Sequence, residues 1–286
     1  MTPRGPARDA WRRLRANRGA TACLVGFAVI VVACAVGPVV CGWFGLDATR
    51  LDLELLAAAP SPAHPLGTDN LGRDLLVRVL VGGRIAIAMG LFATAVALVI
   101  GVTWGATAAY LGGRVDDVMM RVVDTLYGFP IIPFVVVVRA VFDTRSLVSL
   151  FLLIGSISWL TMARIVRGQV LSLRHREFVE AARALGASRG RILWRHIIPN
   201  TAGPVVVYAT VLVPQTMLIE TFMSFIGLGV QAPLASWGTL VTEGSTQVAV
   251  SPWVLAGPAV AMGATIFALN FLGDGLRDAL DPRGAR

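Results

Sequence analysis

The sequence predicts an all-α integral membrane protein of six transmembrane helices, with both ends on the cytoplasmic side. Three observations carry that prediction. Hydrophobic residues make up 56 % of the 286 residues and charged residues only 15 %, whereas a soluble domain has about 45–50 % and roughly 25 %. The mean hydropathy is +0.72, so the apolar excess has no aqueous surface on which to sit. The apolar residues are also gathered into six runs: Ala20 to Val40, Ile85 to Leu111, Val122 to Phe142, Leu147 to Ala163, Gly203 to Gly229 and Trp253 to Leu272. A bilayer core about 30 Å thick takes roughly 17–25 apolar residues per helix. Finally, with both ends inside, 19 arginines fall in cytoplasmic segments and 6 outside, namely Arg50, Arg73, Arg78, Arg84, Arg139 and Arg145. Basic flanks resist translocation, so this asymmetry sets the orientation.

Taken in order, the basic N-terminal segment 1–19 holds Trp11 and Leu14 one helical turn apart among arginines. That pattern suits a short helix lying in the membrane interface, and it suits a solvated basic tail equally. The first span, 20–40, contains Val31-Val32-Ala33-Cys34, the outline of a lipoprotein cleavage box. The apolar run continues past Cys34, beyond the roughly 7–15 residues of a signal core, and is read as a retained helix. Cys23, Cys34 and Cys41 lie on nearly one face of it with no His or acid beside them, which reads as small-residue packing and not a metal site. An outer loop takes 41–84, where turns and helix caps explain His64, Asp69 and Asp74 more economically than a metal does. Spans two to six occupy 85–273, and 274–286 is a cytoplasmic C-terminus. The third span holds Asp124, Arg139 and two prolines, with both charges near enough to its ends to reach the interface. In the second span, Gly101 and Gly105 allow close helix packing.

The net charge of +8 comes entirely from arginine, since all 25 basic residues are Arg. Topology explains that excess without nucleic acid. The absence of lysine removes a Walker-A phosphate loop and any Schiff-base chemistry, so the chain is not expected to hydrolyse ATP. His64, His175 and His196 lie in separate segments with no motif joining them to a nucleophile or metal set. An enzyme is therefore the least favoured class.

The cytoplasmic loop 164–200 is too long for a minimal connection and too regular for a linker. Ile165, Val166, Val170, Leu173, Val179, Ala182 and Leu185 recur at helical spacing, so the fourth span is expected to run on as helix until Gly186 takes a left-handed cap. Ser188 then caps a second helix, Arg189 to Ile197, which Pro199 ends. The result is a helical bracket with small residues Ala181, Ala182, Gly186 and Ala187 at its tip.

Within this bracket Glu180-Ala181-Ala182, three further residues, Gly186, and Ile198-Pro199 beyond resemble the EAA motif of ABC importer permeases. Ile198 stands where the broader pattern has Leu, and His196 where it often has Ile. His64-Pro65-Leu66-Gly67-Thr68-Asp69-Asn70-Leu71-Gly72-Arg73-Asp74 with Gly83-Arg84, the run Ser224 to Gln231, Ser236-Trp237-Gly238 and Leu272 to Arg283 extend the likeness in the same order. From about Arg12 to Arg283 the chain resembles the second permease subunit of dipeptide, oligopeptide or nickel-type ABC importers. That resemblance implies a type I importer permease fold, with Glu180, Ala181, Ala182, Arg183, Leu185, Gly186 and Ala187 docking on an ATPase subunit. It further implies a homologous permease partner, two ATP-binding subunits that hold the ATP and Mg, an extracytoplasmic substrate-binding protein received on the outer face, and no cofactor on this chain. Dipeptides, longer peptides, nickel complexes and haem all remain open as cargo.

Inside the membrane, Glu220 in the fifth span is a candidate for the transport path, with Gln215, Thr216 and Met217 within two turns of it. The alternative is a hydrogen bond to a neighbouring helix or to the companion permease. A secondary transporter or channel, the competing class, would need repeated halves or coupling-ion groups near the midplane, and the sequence presents neither.

Overall fold

The computed structural model describes residues 6–142 and 146–280. Arg145 and the last part of the C-terminal segment, 281–286, lie outside them. Every regular element among the described residues is helical: α1 (Pro6–Ala16), α2 (Arg18–Trp43), α3 (Leu75–Val96), α4 (Val102–Leu111), α5 (Gly113–Gly128), α6 (Ile131–Phe142), α7 (Leu147–Leu173), α8 (Glu177–Ala184), α9 (Arg189–Ile192), α10 (Ala202–Phe225), α11 (Trp237–Ser245) and α12 (Pro252–Leu280). Five helical stretches are long and apolar enough to cross a bilayer: Arg18–Trp43, Leu75–Leu111, Leu147–Leu173, Arg189–Phe225 and Pro252–Leu280. A sixth crossing exists only if the bent pair α5–α6 counts as one.

The first span forms as one helix, Arg18–Trp43. Asn17 caps it by accepting from the Ala20 amide at 3.1 Å. Pro38 has no N–H, so the Cys34 carbonyl loses its helical donor. Arg84 fills the gap, donating from Nε to Cys34 O at 2.7 Å and from Nη2 to Ala35 O at 2.6 Å. Cys34 packs so closely on α3 that a Cβ on Gly83 would stand 2.4 Å from its sulfur. All three cysteines are free thiols.

The second span begins at Leu75, well before the expected Ile85, under a cap in which Asp74 accepts from Val77 N at 2.9 Å. Arg78 and Arg84 lie inside this added stretch of helix, and each is bonded to protein groups, so neither stops it. A π turn at Ala97–Gly101 joins α3 to α4. There the glycines bring α7 close: a Cβ on Gly105 would meet Ala163 O at 2.2 Å, and one on Gly101 would meet Met162 Cβ at 2.7 Å.

The expected third span is not one straight helix. Its halves, Gly113–Gly128 and Ile132–Val141, meet at 82°. Phe129 is extended at φ −75°, ψ 126°, the conformation that a following proline imposes, here Pro130. The fourth span also stops short of expectation, ending at Leu173, and a turn at 174–176 separates it from α8. Pro199 does not end the bracket. It opens a 3-10 turn, Ile198–Thr201, where its missing N–H is harmless, and the path runs from α9 through a π turn at Leu193–Ile197 into α10. The sixth span extends past the expected Leu272 to Leu280.

Two buried clusters organise the bundle. One joins Trp159, Met162, Val166 and Val170 of α7 to Val179, Ala182, Ile192 and Ile197 of the bracket. The other joins Leu75 and Ile87 of α3 to Val213 and Met217 of α10 and to Trp237 and Leu240 of α11. At the N-terminus the helical reading is the one realised: Leu14 is 3 % exposed and packs with Ala20, Leu272 and Ala279.

Candidate functional site

The bracket splits its residues by side. Val179, Ala182, Ile192, Leu193 and Ile197 are buried beneath it, whereas Leu185 at the tip is 88 % exposed. Glu180, Ala181, Arg183 and Gly186 are exposed as well, and Ala187 is half-buried. α8 closes as a Schellman motif: Ala187 N donates to Ala182 O at 3.1 Å and Gly186 N to Arg183 O at 3.0 Å. This closure requires Gly186 at φ +79°, and a Cβ there would meet nothing within 4 Å. The glycine serves the turn, and the space above it is open. Ser188 starts α9 by accepting from Arg191 N. Among the described residues Glu180 forms no ion pair with Arg176 or Arg183, so the motif carboxylate is not occupied in bracing its own helix. The arrangement is an apolar knob on a short helix, wedged at its base between α7 and α10.

The four intramembrane candidates separate. Gln215 and Thr216 line a cleft of about 200 Å³ between α5, α6, α7 and α10, with Tyr127, Ser158, Thr161 and Tyr208 as its other polar walls. None of the lining residues is charged. Met217 lies elsewhere, in the cluster with Trp237 and Leu240. Glu220, 1 % exposed, also turns away from the cleft. Its Oε1 accepts from Ser224 Oγ at 2.7 Å and from Ser236 Oγ at 2.6 Å, and a Cβ on Gly238 would stand 2.4 Å from its Oε2. Ser236 is itself the N-cap of α11, in a capping box with Thr239. Glu220 thus bonds α10 to the N-cap of α11. The pattern Ser236-Trp237-Gly238-Thr239 was the available signal for that helix.

Around the 44–74 segment, charges are enclosed. Asp69 (1 % exposed) accepts from Arg73 Nε at 2.7 Å and from Arg78 Nη1, and Arg78 (2 % exposed) also donates to Glu243 of α11 at 2.7 Å. Trp237 Nε1 donates to Val79 O at 2.8 Å, so α11 is pinned to α3 along its length. His64 Nδ1 lies 2.8 Å from Asp74 Oδ2. Asp69 and Asp74 thus serve turns, ion pairs and a cap, and no cluster of three His, Cys, Asp or Glu is set to hold a metal among the described residues. Of the two charges expected at span boundaries, Asp124 pairs with Arg164 at 2.7 Å on an exposed surface. Arg139 is instead buried and donates to the Leu228 carbonyl beyond the end of α10, where the backbone carries partial negative charge.

Comparison with known proteins matches this architecture. The family described as the binding-protein-dependent transport system inner membrane component covers residues 97–286. The family described as the N-terminal TM domain of oligopeptide transport permease C covers residues 5–56. The oligopeptide transport system permease protein OppC of Escherichia coli K12 is 48 % identical over 277 residues, 96 % of this chain and 90 % of that protein. Its counterpart from Haemophilus influenzae is 45 % identical, covering 96 % and 88 %. The dipeptide transport system permease protein DppC of Bacillus subtilis is 40 % identical, covering 96 % and 85 %. With membrane helices throughout, a bracket built to leave its tip bare, and relatives aligned along nearly the whole length, the chain belongs to the family of binding-protein-dependent transport system inner membrane components.

Proposed function

We propose that this chain is a non-catalytic permease subunit of a bacterial ABC importer, forming half of the translocation path for peptides across the inner membrane with both termini inside. One observation carries the reading: the exposed Leu185–Gly186 tip is continuous, through buried Val179, Ala182 and Ile197, with the helices that line the cleft. A push on the tip is thereby delivered to α7 and α10. Two ATP-binding subunits, which hold the ATP and Mg, dock on Glu180, Ala181, Ala182, Arg183, Leu185, Gly186 and Ala187. A homologous permease completes the path, and an extracytoplasmic binding protein delivers cargo to the outer-loop end. Gln215 and Thr216 face the path, while Met217 and Glu220 support it from behind. The relatives named for oligopeptides and dipeptides favour peptides over nickel complexes or haem. The test is affinity purification of the tagged chain from native membranes in mild detergent. Recovery of a second permease and of P-loop ATPases, with the ATPases lost on Gly186→Arg, supports the reading. Recovery of a functional chain alone or as a homo-oligomer overturns it and favours a secondary transporter.

A further inference from the structure

We propose that α1 and the first residue of α2 form an anchor whose arginines bind the phosphodiester headgroups of anionic lipids in the leaflet they meet. The inference uses neither the bracket nor the cleft and stands apart from the proposed function. Its first support is position. A single residue, Asn17, joins α1 to α2, and it is held on both sides: its amide donates to Arg13 O at 3.2 Å and Leu14 O at 3.1 Å, while its side chain caps α2. Thr21 Oγ1 also donates to Leu14 O at 3.2 Å. α1 is therefore fixed within about one turn of the end of an apolar span, which is headgroup depth.

The second support is orientation. Leu14, 3 % exposed, is seated against Ala20, Leu272 and Ala279, and a Cβ on Gly275 would stand 2.3 Å from Ala20 Cβ. One face of α1 is therefore locked on the end of α12, and the others look outward. Trp11, one turn before Leu14, is 47 % exposed, and the Arg15 guanidinium sits over its ring at 5.1 Å. Arg12 and Arg18 are exposed as well. Among the described residues none of Arg12, Arg15 and Arg18 belongs to an ion pair. The exposed charges on the adjoining end of α12, Asp274, Arg277 and Asp278, add no more than a single net negative charge. Three unpaired guanidinium groups beside an amphipathic indole make a surface for phosphodiesters: the fork geometry suits two phosphate oxygens, and the indole suits the interface.

The full-length chain is extracted with equal amounts of phosphatidylglycerol and phosphatidylcholine, and retained lipids are identified by native mass spectrometry. The expected result is preferential retention of phosphatidylglycerol. Combined R12Q/R15Q/R18Q should lower that preference by about fivefold for each headgroup-bound arginine removed, while R12K/R15K/R18K, which keeps the charge and loses the fork, gives an intermediate preference. All three side chains are exposed, so the variants do not disturb packing, and an unchanged elution profile verifies this. Equal retention of the two lipids by the parent chain, unchanged retention by the glutamine variant, or displacement of the lipid by excess inorganic phosphate overturns the proposal.

Discussion

The bracket and the α11 end are built on opposite plans. α11 is closed on itself: Glu220 grips its N-cap, Trp237 donates to α3, and Arg78 links it to Asp69. Its N-cap, its indole N–H and Glu243 all find partners inside the chain, which fixes its geometry. The bracket uses almost no polar ties. Apolar burial holds its base, and its tip is presented bare, with Leu185 at 88 % exposure. A surface left incomplete in this way gains its partner atoms only from another molecule. The comparison teaches that one region stores rigidity and the other leaves an apolar side chain bare, as the proposed docking role requires.

Substitutions at the two regions should therefore fail differently. The largest effect is expected at the tip. Leu185→Glu changes a side chain that is 88 % exposed, so membrane abundance should be unchanged, while loss of an interface anchor worth about 2 kcal/mol weakens ATPase association roughly thirtyfold. Co-purification and ATP-dependent peptide uptake measure this, and normal values for both would show that the tip is not the docking surface. Arg78→Ala comes next. It removes one of the two guanidinium groups on the buried Asp69 carboxylate, leaving Arg73, and unpairs Glu243, an effect of about 1.5–3 kcal/mol, seen as lower thermal stability of the detergent-purified chain. Stability within about 1 kcal/mol of the parent would contradict a pinned α11.

Gly238→Ala is a milder probe of the same end. Its Cβ would fall 2.4 Å from Glu220 Oε2 and 2.7 Å from Thr221 Cα, so overpacking should cost about 1–3 kcal/mol; Gly186→Ala meets no neighbouring atom, and its left-handed φ of +79° should by itself cost about 1–2 kcal/mol. The smallest effect is expected for Asp124→Asn. Its pair with Arg164 is 63 % and 39 % exposed, and the change should stay within about 0.5 kcal/mol by the same thermal assay.

What could be read from the chain follows from how local each cause is. The first and fifth spans were visible because lipid-facing helices are apolar on nearly all sides, and the Gly186 turn and the Ser188 cap were visible because both are single-residue signals. The start of α3 was hidden because Arg78 looks like a loop charge until Asp69 and Glu243 are folded around it. The break in the third span was half-visible: Pro130 and the charges marked it as unusual, but the 82° angle depends on what α6 packs against. Glu220 was found as a buried carboxylate without its destination, because Ser236 is sixteen positions away and comes near only when α11 folds back. The bare tip was inferred from a family likeness, since spacing alone fits a solvated basic hairpin as well.

Arg84 and Pro38 carry a consequence for biogenesis. Alone in hydrocarbon, α2 presents the Cys34 carbonyl without a donor, and α3 presents a guanidinium without an acceptor; an unmet backbone group there costs several kcal/mol. Each helix is the remedy for the other's defect. The two are accordingly a single unit of insertion, with the 44–74 stretch as the tether that delivers the second to the first. A chain divided within that tether should yield fragments that enter the membrane poorly apart, whereas a division after Leu111 leaves the pair intact.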